Sequence, residues 1–430
     1  MKFKEVNIGS LGQVITGNTP LTSDKEFYGG TYQFIKPTDM DIDRRRVTKW
    51  EENYTEKAFK KYKNSYIPKG ATGVVTIGTV GEKMFQADRD CFTNQSVNVV
   101  IPNDEYDQDF IYYLLKFNLP KVSNANPGTA SGRHHVSKSN FCAINVIVPS
   151  EKSVQTKIGQ ILSAYDDFIE NNLKRIKLLE ELAQRTYEEW FVKFRINGKQ
   201  LEIGENGLPD GWEYGTLGDL INFQSGFAFK AAKFVEVGQP VIKIKNIGNN
   251  NVDINNTDCV DEDYAKSAVK FSLTEGDLLI AMTGATVGKV GYVPFSKKTC
   301  YLNQRVGRFL NYKGKSNLHF TFSLMTQGDG LQQVLNLAGG AAQPNISGNQ
   351  ILSIKTVIPT EDLLVKYNSF AENNIKQILN LQNQNRLLKE SRDILLPRLM
   401  SGKIGVGEIE KAQNESLKMV AEPREEYSKG

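Results

Sequence analysis

Histidine, cysteine and long apolar runs are all scarce in this 430-residue chain. Each scarcity argues against a class of function. The three histidines, His134, His135 and His319, have no catalytic-triad or metal-ligand spacing around them. Cys91, Cys142, Cys259 and Cys300 form no CxxC pair and no zinc-type cluster, so neither a structural metal nor a disulfide framework is expected. The N-terminal MKFKEVNIGS lacks the apolar core of a signal peptide, and no stretch approaches the roughly 18 apolar residues of a membrane span. A reduced, cytoplasmic chain without membrane contact is the expectation. Phosphate-loop chemistry is missing too. GATVGK at Gly284–Lys289 is one residue short of a P-loop and lacks the Ser or Thr that should follow, so it reads as a turn between strands. No catalytic residues, cofactor or metal are expected. A net charge of +4 is too small to identify a polyanion partner by itself, which puts the weight on how the charge is distributed.

What is present is one plan written twice. From Gln155 to Trp190, apolar residues at Ile158, Leu162, Tyr165, Ile169, Ile176, Leu179, Ala183 and Trp190 recur at spacings of three and four. Charged faces such as Lys174-Arg175 and Glu180-Glu181 flank this stripe. A narrow stripe calls for a partner helix, and Leu364–Leu396 supplies one through Leu364, Ala371, Ile378, Leu381, Leu388 and Leu395. Asn172, Asn374 and Asn385 interrupt the stripes, either buried to fix register or solvated at the stripe edge. Before each helix lies a segment of short β-branched runs and Gly turns, with one amphipathic helix expected at Gln108–Phe117.

The repeat can be followed residue by residue. Leu11-Gly12 recurs as Leu217-Gly218, and Phe34-Ile35-Lys36 as Val241-Ile242-Lys243. Gly78-Thr79-Val80-Gly81 recurs as Ala285-Thr286-Val287-Gly288, and Cys91-Phe92-Thr93-Asn94-Gln95 as Cys300-Tyr301-Leu302-Asn303-Gln304. Val148-Pro149 matches Ile358-Pro359 ahead of the helices. The expected fold is α+β: two mainly β domains separated by two long helices that form an antiparallel coiled coil, in a pseudo-two-fold repeat. Pro397 and Gly402 are expected to stop the second helix.

These residues carry a resemblance. The two-half plan resembles the specificity subunit of type I restriction-modification systems. So do TYEEWFVKFR at Thr186–Arg195, GLPDGWE at Gly207–Glu213, LLPRLMSGKI at Leu395–Ile404, and the pairing of GTVGEK with CFTNQ and of GATVGK with CYLNQ. The resemblance implies target recognition domains at 1–150 and 211–360, spacer helices at 151–196 and 361–402 and a connector at 197–210, while the polar, highly charged composition at the end of the chain predicts a disordered tail at 403–430. Each recognition domain would read one part of a split double-stranded DNA target. The helices would set the gap and dock two methyltransferase subunits, with restriction subunits as a further partner. Adenine methylation and ATP-dependent cleavage would belong to those partners, the chain itself being non-catalytic. The rival reading is a duplicated coiled-coil scaffold that binds protein or glycan.

Groove-edge recognition needs paired donors and acceptors, and phosphate contact needs cations. The loop containing Arg133, His134, His135 and Lys138, and its counterpart containing Gln343 and Asn345, sit at the same place in the repeat with different chemistry. They are the expected base readers. Lys36, Lys243, Lys245, Lys230 and the run Arg44-Arg45-Arg46 are expected mainly at phosphates. Asn94-Gln95 and Asn303-Gln304 are identical in both halves and are therefore expected to close turns. Cys91 and Cys300 should be buried small apolar residues. Trp190, Phe191 and Phe194 should either pack under the adjoining domain or form part of a methyltransferase-docking face.

Overall fold

The computed structural model describes residues 2–125, 134–248, 250–339, 344–409 and 411. The chain divides into two compact units, Met1–Glu170 with Leu387–Gly430, and Asn171–Arg386. Both boundaries fall inside the long helices, so each unit holds part of both.

In the first unit Phe3–Asn7 pairs antiparallel with Asn145–Pro149. A four-stranded antiparallel sheet runs in the order Gly12–Thr16, Val97–Pro102, Thr72–Val75, Met84–Gln86. A smaller sheet sets Tyr28–Ile35 between Glu52–Tyr54 and Phe92–Thr93. These runs are rich in Val, Ile, Phe and Tyr, whose branched or flat side chains suit a pleated, buried surface. Helix Gln108–Phe117, capped by Asp107, buries Phe110 to Leu115 against them. The second unit repeats the scheme. Glu213–Thr216 pairs with Lys355–Ile358, one sheet has six strands and another five, and Leu318–Thr326 takes the helix position.

The hydrogen bonds correct one sequence pairing. Ile8 donates to Ile144, and Leu217 donates to Ile354, so Ile8-Gly9 answers to Leu217-Gly218. Leu11 answers to Leu220, each closing a single 3-10 turn onto Ile8 and Leu217 respectively. The two Leu-Gly dipeptides are alike in letters and not in place.

The first long helix spans Lys152–Tyr187, 36 residues, and ends in a π turn at Glu188–Val192. The second spans Glu361–Met400, 40 residues. Most of the expected stripe residues are buried, Ile158, Leu162, Ile169, Ile176 and Ala183 in one helix and Leu364, Ala371, Ile378 and Leu381 in the other, while Tyr165, Leu179, Trp190, Leu388 and Leu395 are half-buried. Within the second unit, Asn172 Nδ2 donates to Asn385 Oδ1 at 3.0 Å, while Tyr187 lies 6.3 Å from Tyr367 between ring centroids. One position rises as the other falls, so the pairing is antiparallel. Asn172, Asn374 and Asn385 are all buried, which decides between the two expectations for them.

Pro397 does not stop the second helix, as the sequence suggested it would. The backbone continues helical past it to Met400, and Ser401 bonds back to the Pro397 carbonyl. Gly402, at φ +70, is the actual terminator, in the left-handed conformation that glycine adopts without strain. Val406 and Ile409 then pack on the first unit's core. Most of the expected disordered tail, residue 410 and residues 412–430, lies outside the described residues.

Candidate nucleic-acid interface

One framework of loops is built in each unit. In the first, the strand ending at Ile35 accepts a hydrogen bond from Asn94 N (3.2 Å). Thr76 N reaches Ser96 O (2.8 Å), and Val136 N reaches Thr76 O (2.8 Å). Gly78 N reaches His134 O (3.0 Å), and Lys83 Nζ donates to Pro37 O (3.0 Å). Together these bonds join the loop after Ile35, the GTVGEK turn, the Asn94-Gln95 turn and the segment entering helix Lys138–Cys142.

The second unit repeats the four backbone bonds and replaces the Lys83 contact with one from Thr286. Asn303 N reaches Ile242 O (3.2 Å), Met282 N reaches Arg305 O (3.0 Å) and Ile346 N reaches Met282 O (2.9 Å). Gly284 N reaches Pro344 O (3.0 Å), and Thr286 Oγ1 donates to Ile244 O (3.2 Å). A fifth loop closes the set through Gly17 and Gly226. A Cβ at either glycine would come within 2.2 Å of the Asn94 or Asn303 carbonyl oxygen, so only glycine fits.

The repeated Asn-Gln pairs do close turns: Asn94 Oδ1 accepts from Ser96 N and Asn303 Oδ1 from Arg305 N. GATVGK is a turn between antiparallel strands Leu278–Ala281 and Val290–Tyr292, as expected. Cys91 and Cys300 are buried, and burial pushes both thiols up.

On this framework His134, His135, Lys138 and Asn345 are exposed, with His135 bridged to Ile77 and Asn345 to Thr283. Arg133 and Gln343 lie outside the described residues. The structure adds Arg305 and Lys289, both exposed on the same loop set. Arg305 directly follows the shared Asn303-Gln304 and stands where the first half has Ser96. A difference beside an identity was the available signal.

The other basic residues are held differently. Lys36 pairs with Glu51 at 2.7 Å and Glu52 at 3.5 Å. Lys243 and Lys245 share Asp258 at 2.7 and 3.0 Å, and hydrogen bonds from Lys243 and then Lys245 hold that carboxyl below its usual range. Lys243 Nζ also sits 3.6 Å from the Phe234 ring centroid. Lys230 is exposed, and its backbone N–H donates to the Tyr264 hydroxyl.

The arginine run splits three ways. Arg44 pairs with Asp41 and donates to Thr48. Arg46 pairs with Glu170 at 2.8 Å and Asp167 at 3.0 Å. Arg45 is a correction, because it is 2% exposed, paired with Asp109 and bonded to Gln86 at 2.7 Å. A guanidinium so enclosed holds the fold and cannot present itself to a phosphate.

The aromatic cluster packs on its neighbours, the first of the two expectations for it. Phe191 is buried, 4.8 Å from Tyr367, 5.0 Å from Phe320 and 5.9 Å from Trp212 between centroids. Trp190 and Phe194 pack beside it, on Tyr367 and Trp212.

A sequence profile described as type I restriction modification DNA specificity domain matches residues 1–181 and again 209–362, one match for each copy of the framework. The chain belongs to the type I restriction-modification DNA specificity family. Among relatives of this specificity chain, the type I restriction enzyme MjaIX specificity subunit of Methanocaldococcus jannaschii is 27% identical over 436 residues, 95% of this chain and 98% of the relative. The MjaVIII specificity subunit of the same organism is 25% identical over 414 residues, 94% of this chain and 93% of the relative. The crystal structure of the type I restriction-modification system S subunit from M. genitalium has the same fold, with a TM-score of 0.62 at 17% identity over 93% of this chain and 96% of that one. The protein or glycan scaffold reading is therefore set aside. No helix of the specificity chain, among the described residues, is long and apolar enough to cross a membrane.

Proposed function

We propose that this specificity subunit reads a bipartite double-stranded DNA target, each framework reading one part. The observation that carries the proposal is the repeated loop set with unlike exposed chemistry: His134, His135 and Lys138 in one half, Asn345, Arg305 and Lys289 in the other. A common scaffold places the readers, and the differing side chains choose the bases. Arginine pairs best with guanine and asparagine with adenine through two hydrogen bonds each. Lys36, Lys243, Lys245, Arg44 and Arg46 contribute phosphate contacts by exchanging their local carboxylates for the duplex, and Lys230 contributes a further one.

The recognition domains are residues 1–150 and 211–360. The helices of 151–196 and 361–402 set the gap between the half-sites and dock two methyltransferase subunits, with restriction subunits joining that assembly in the cytoplasm. Trp190 and Phe194, both half-buried, keep enough exposure to contribute to docking. The subunit supplies sequence choice, and adenine methylation and ATP-dependent cleavage are the work of its partners.

The test is to map the methylated motif after replacing His134, His135 and Lys138 by Ala, and separately Arg305 and Asn345 by Ala. Each set should relax one half-site and leave the other intact. An unchanged motif in both would remove these loops as readers.

A further inference from the structure

Most of the candidate phosphate cations are neutralised where they stand, and one further group of lysines in the first unit is not. Lys36, Lys243, Lys245, Arg44 and Arg46 each pair with a carboxylate. Lys60, Lys61 and Lys63 are exposed at the end of helix Glu56–Tyr62 and in the 3-10 turn Lys63–Ser65 that follows it, and none has an ion pair among the described residues. The nearby carboxylates are occupied: Glu26 pairs with Lys57 at 2.6 Å, and Glu56 accepts from the Tyr32 hydroxyl. Three positive charges within four residues thus stay uncompensated, in a chain whose whole net charge is +4.

Local structure holds the group in place. The negative end of the helix dipole favours cations in the last turn. Lys61 Nζ lies 4.7 Å from the Phe27 ring centroid and 5.3 Å from that of Tyr62, an ammonium over an aromatic floor. A single tyrosine links this helix to the recognition loops. The Tyr54 ring centroid is 6.4 Å from that of Tyr62, and its hydroxyl donates to Asn18 O at 2.8 Å. Asn18 N in turn donates to Thr93 O, beside the Asn94-Gln95 turn.

The second unit lacks the group at the equivalent positions. Helix Glu262–Lys266 takes the same place, capped by Asp261 as Thr55 caps the first. In that register Lys61 answers to Ser267 and Lys63 to Val269. Lys60 answers to Lys266, which pairs with Asp263 at 2.8 Å.

We propose that Lys60, Lys61 and Lys63 form a sequence-independent anchor for the phosphate backbone of duplex DNA, beside the half-site of the first unit and without a counterpart beside the second, an inference that rests on the reading of the neighbouring loops as the DNA face. Lysine suits the role, because its ammonium neutralises a phosphate as a point charge without the planar fork that reads a base edge. Each phosphate contact releases condensed counterions, so the anchor adds affinity and salt sensitivity and no base preference. The first unit therefore carries the larger electrostatic share of binding.

The test measures dissociation constants of the complex with the methyltransferase subunit, over a series of KCl concentrations, for a duplex carrying the methylated motif and for one without it. Replacing Lys60, Lys61 and Lys63 together by Gln should reduce the slope of log affinity against log salt on both duplexes, by up to about 0.9 per lysine and roughly 2.7 in all, with the methylated motif unchanged. Arg at all three positions should keep the slope. Lys63→Gln alone, beyond the helix, should give about a third of the effect, and it tests the anchor even if the triple variant folds poorly. Gln at Lys233, Lys266 and Lys270 removes the same charge from the second unit and should leave the slope as it was. An unchanged slope in the Lys60, Lys61 and Lys63 variants, or an equal fall in the second-unit variant, overturns the anchor. Equal affinity of the parent complex for the two duplexes would instead remove the reading of a split target, while the slopes would still decide on the anchor.

Discussion

Removing Arg392 should be among the most destabilising single changes in the first unit. Its guanidinium joins late turns of the second long helix to Asp166 on the first, and Asp166 is only 2% exposed. Truncation to Ala strands that carboxylate in a low-dielectric site with the Tyr113 hydroxyl as its remaining side-chain donor among the described residues. Burial keeps that hydroxyl protonated, so it can donate but cannot neutralise the charge. Breaking one partner of a buried ion pair costs about 3–5 kcal/mol. At roughly 2–4 °C per kcal/mol for a unit of this size, the melting temperature should fall by roughly 6–20 °C. Replacing both partners at once, Arg392→Met with Asp166→Leu, should recover most of the loss, because the buried charges then disappear together. A double-mutant cycle in urea measures this. Single variants that each lose under about 1 kcal/mol and combine additively would refute the reasoning.

Further expectations concern other links. Asn172→Leu should cost about 1–3 kcal/mol by leaving the Asn385 amide unpaired, whereas Asn172→Leu with Asn385→Leu should regain it; urea unfolding of the three variants checks this. His319, hydrogen-bonded to Tyr292, is pushed by burial from its usual 6.5 down to about 4. Its folded pKa lies below the unfolded one, so its contribution is complete above about pH 6.5 and is lost as pH falls toward 4, by up to about 3 kcal/mol. His319→Gln should flatten unfolding free energy against pH across that window, and an unchanged slope would contradict the assignment. Inserting about four residues into one long helix, roughly a turn, should alter the gap between half-sites and spare the half-sites themselves; methylation mapping reads the result.

Much of the architecture was legible because it follows from periodicity. A stripe at three-and-four spacing predicts its own burial, and Ile158, Leu162, Ile176, Ile378 and Leu381 are buried as it requires. The Cys91 to Gln95 run and its repeat at Cys300 to Gln304 identified a shared turn, because identical side chains closing identical turns leave an identical trace. What failed was whatever depends on packing between distant segments. Arg44, Arg45 and Arg46 look alike in sequence, yet Arg45 is enclosed by Gln86, Asp109 and Tyr112, which no local pattern brings together. Leu11-Gly12 and Leu217-Gly218 were paired by letters, where the hydrogen bonds to Ile144 and Ile354 pair Ile8 with Leu217. Pro397 was read as a stop because proline lacks the donor that a helix interior needs, but the surrounding turns carry the helix through. The site was legible as loops and only partly as residues. Arg305 becomes a candidate once its carbonyl is seen bonded to Met282, beside the Gly284 turn.

The most direct test of the central claim is long-read methylation mapping of plasmid from cells that co-express this chain with the methyltransferase subunit of its own system. The account predicts adenine methylation at one split motif, two short specific sequences separated by a fixed unspecified gap. Methylation at a continuous motif, or none above the host background with the chain well expressed, would contradict it.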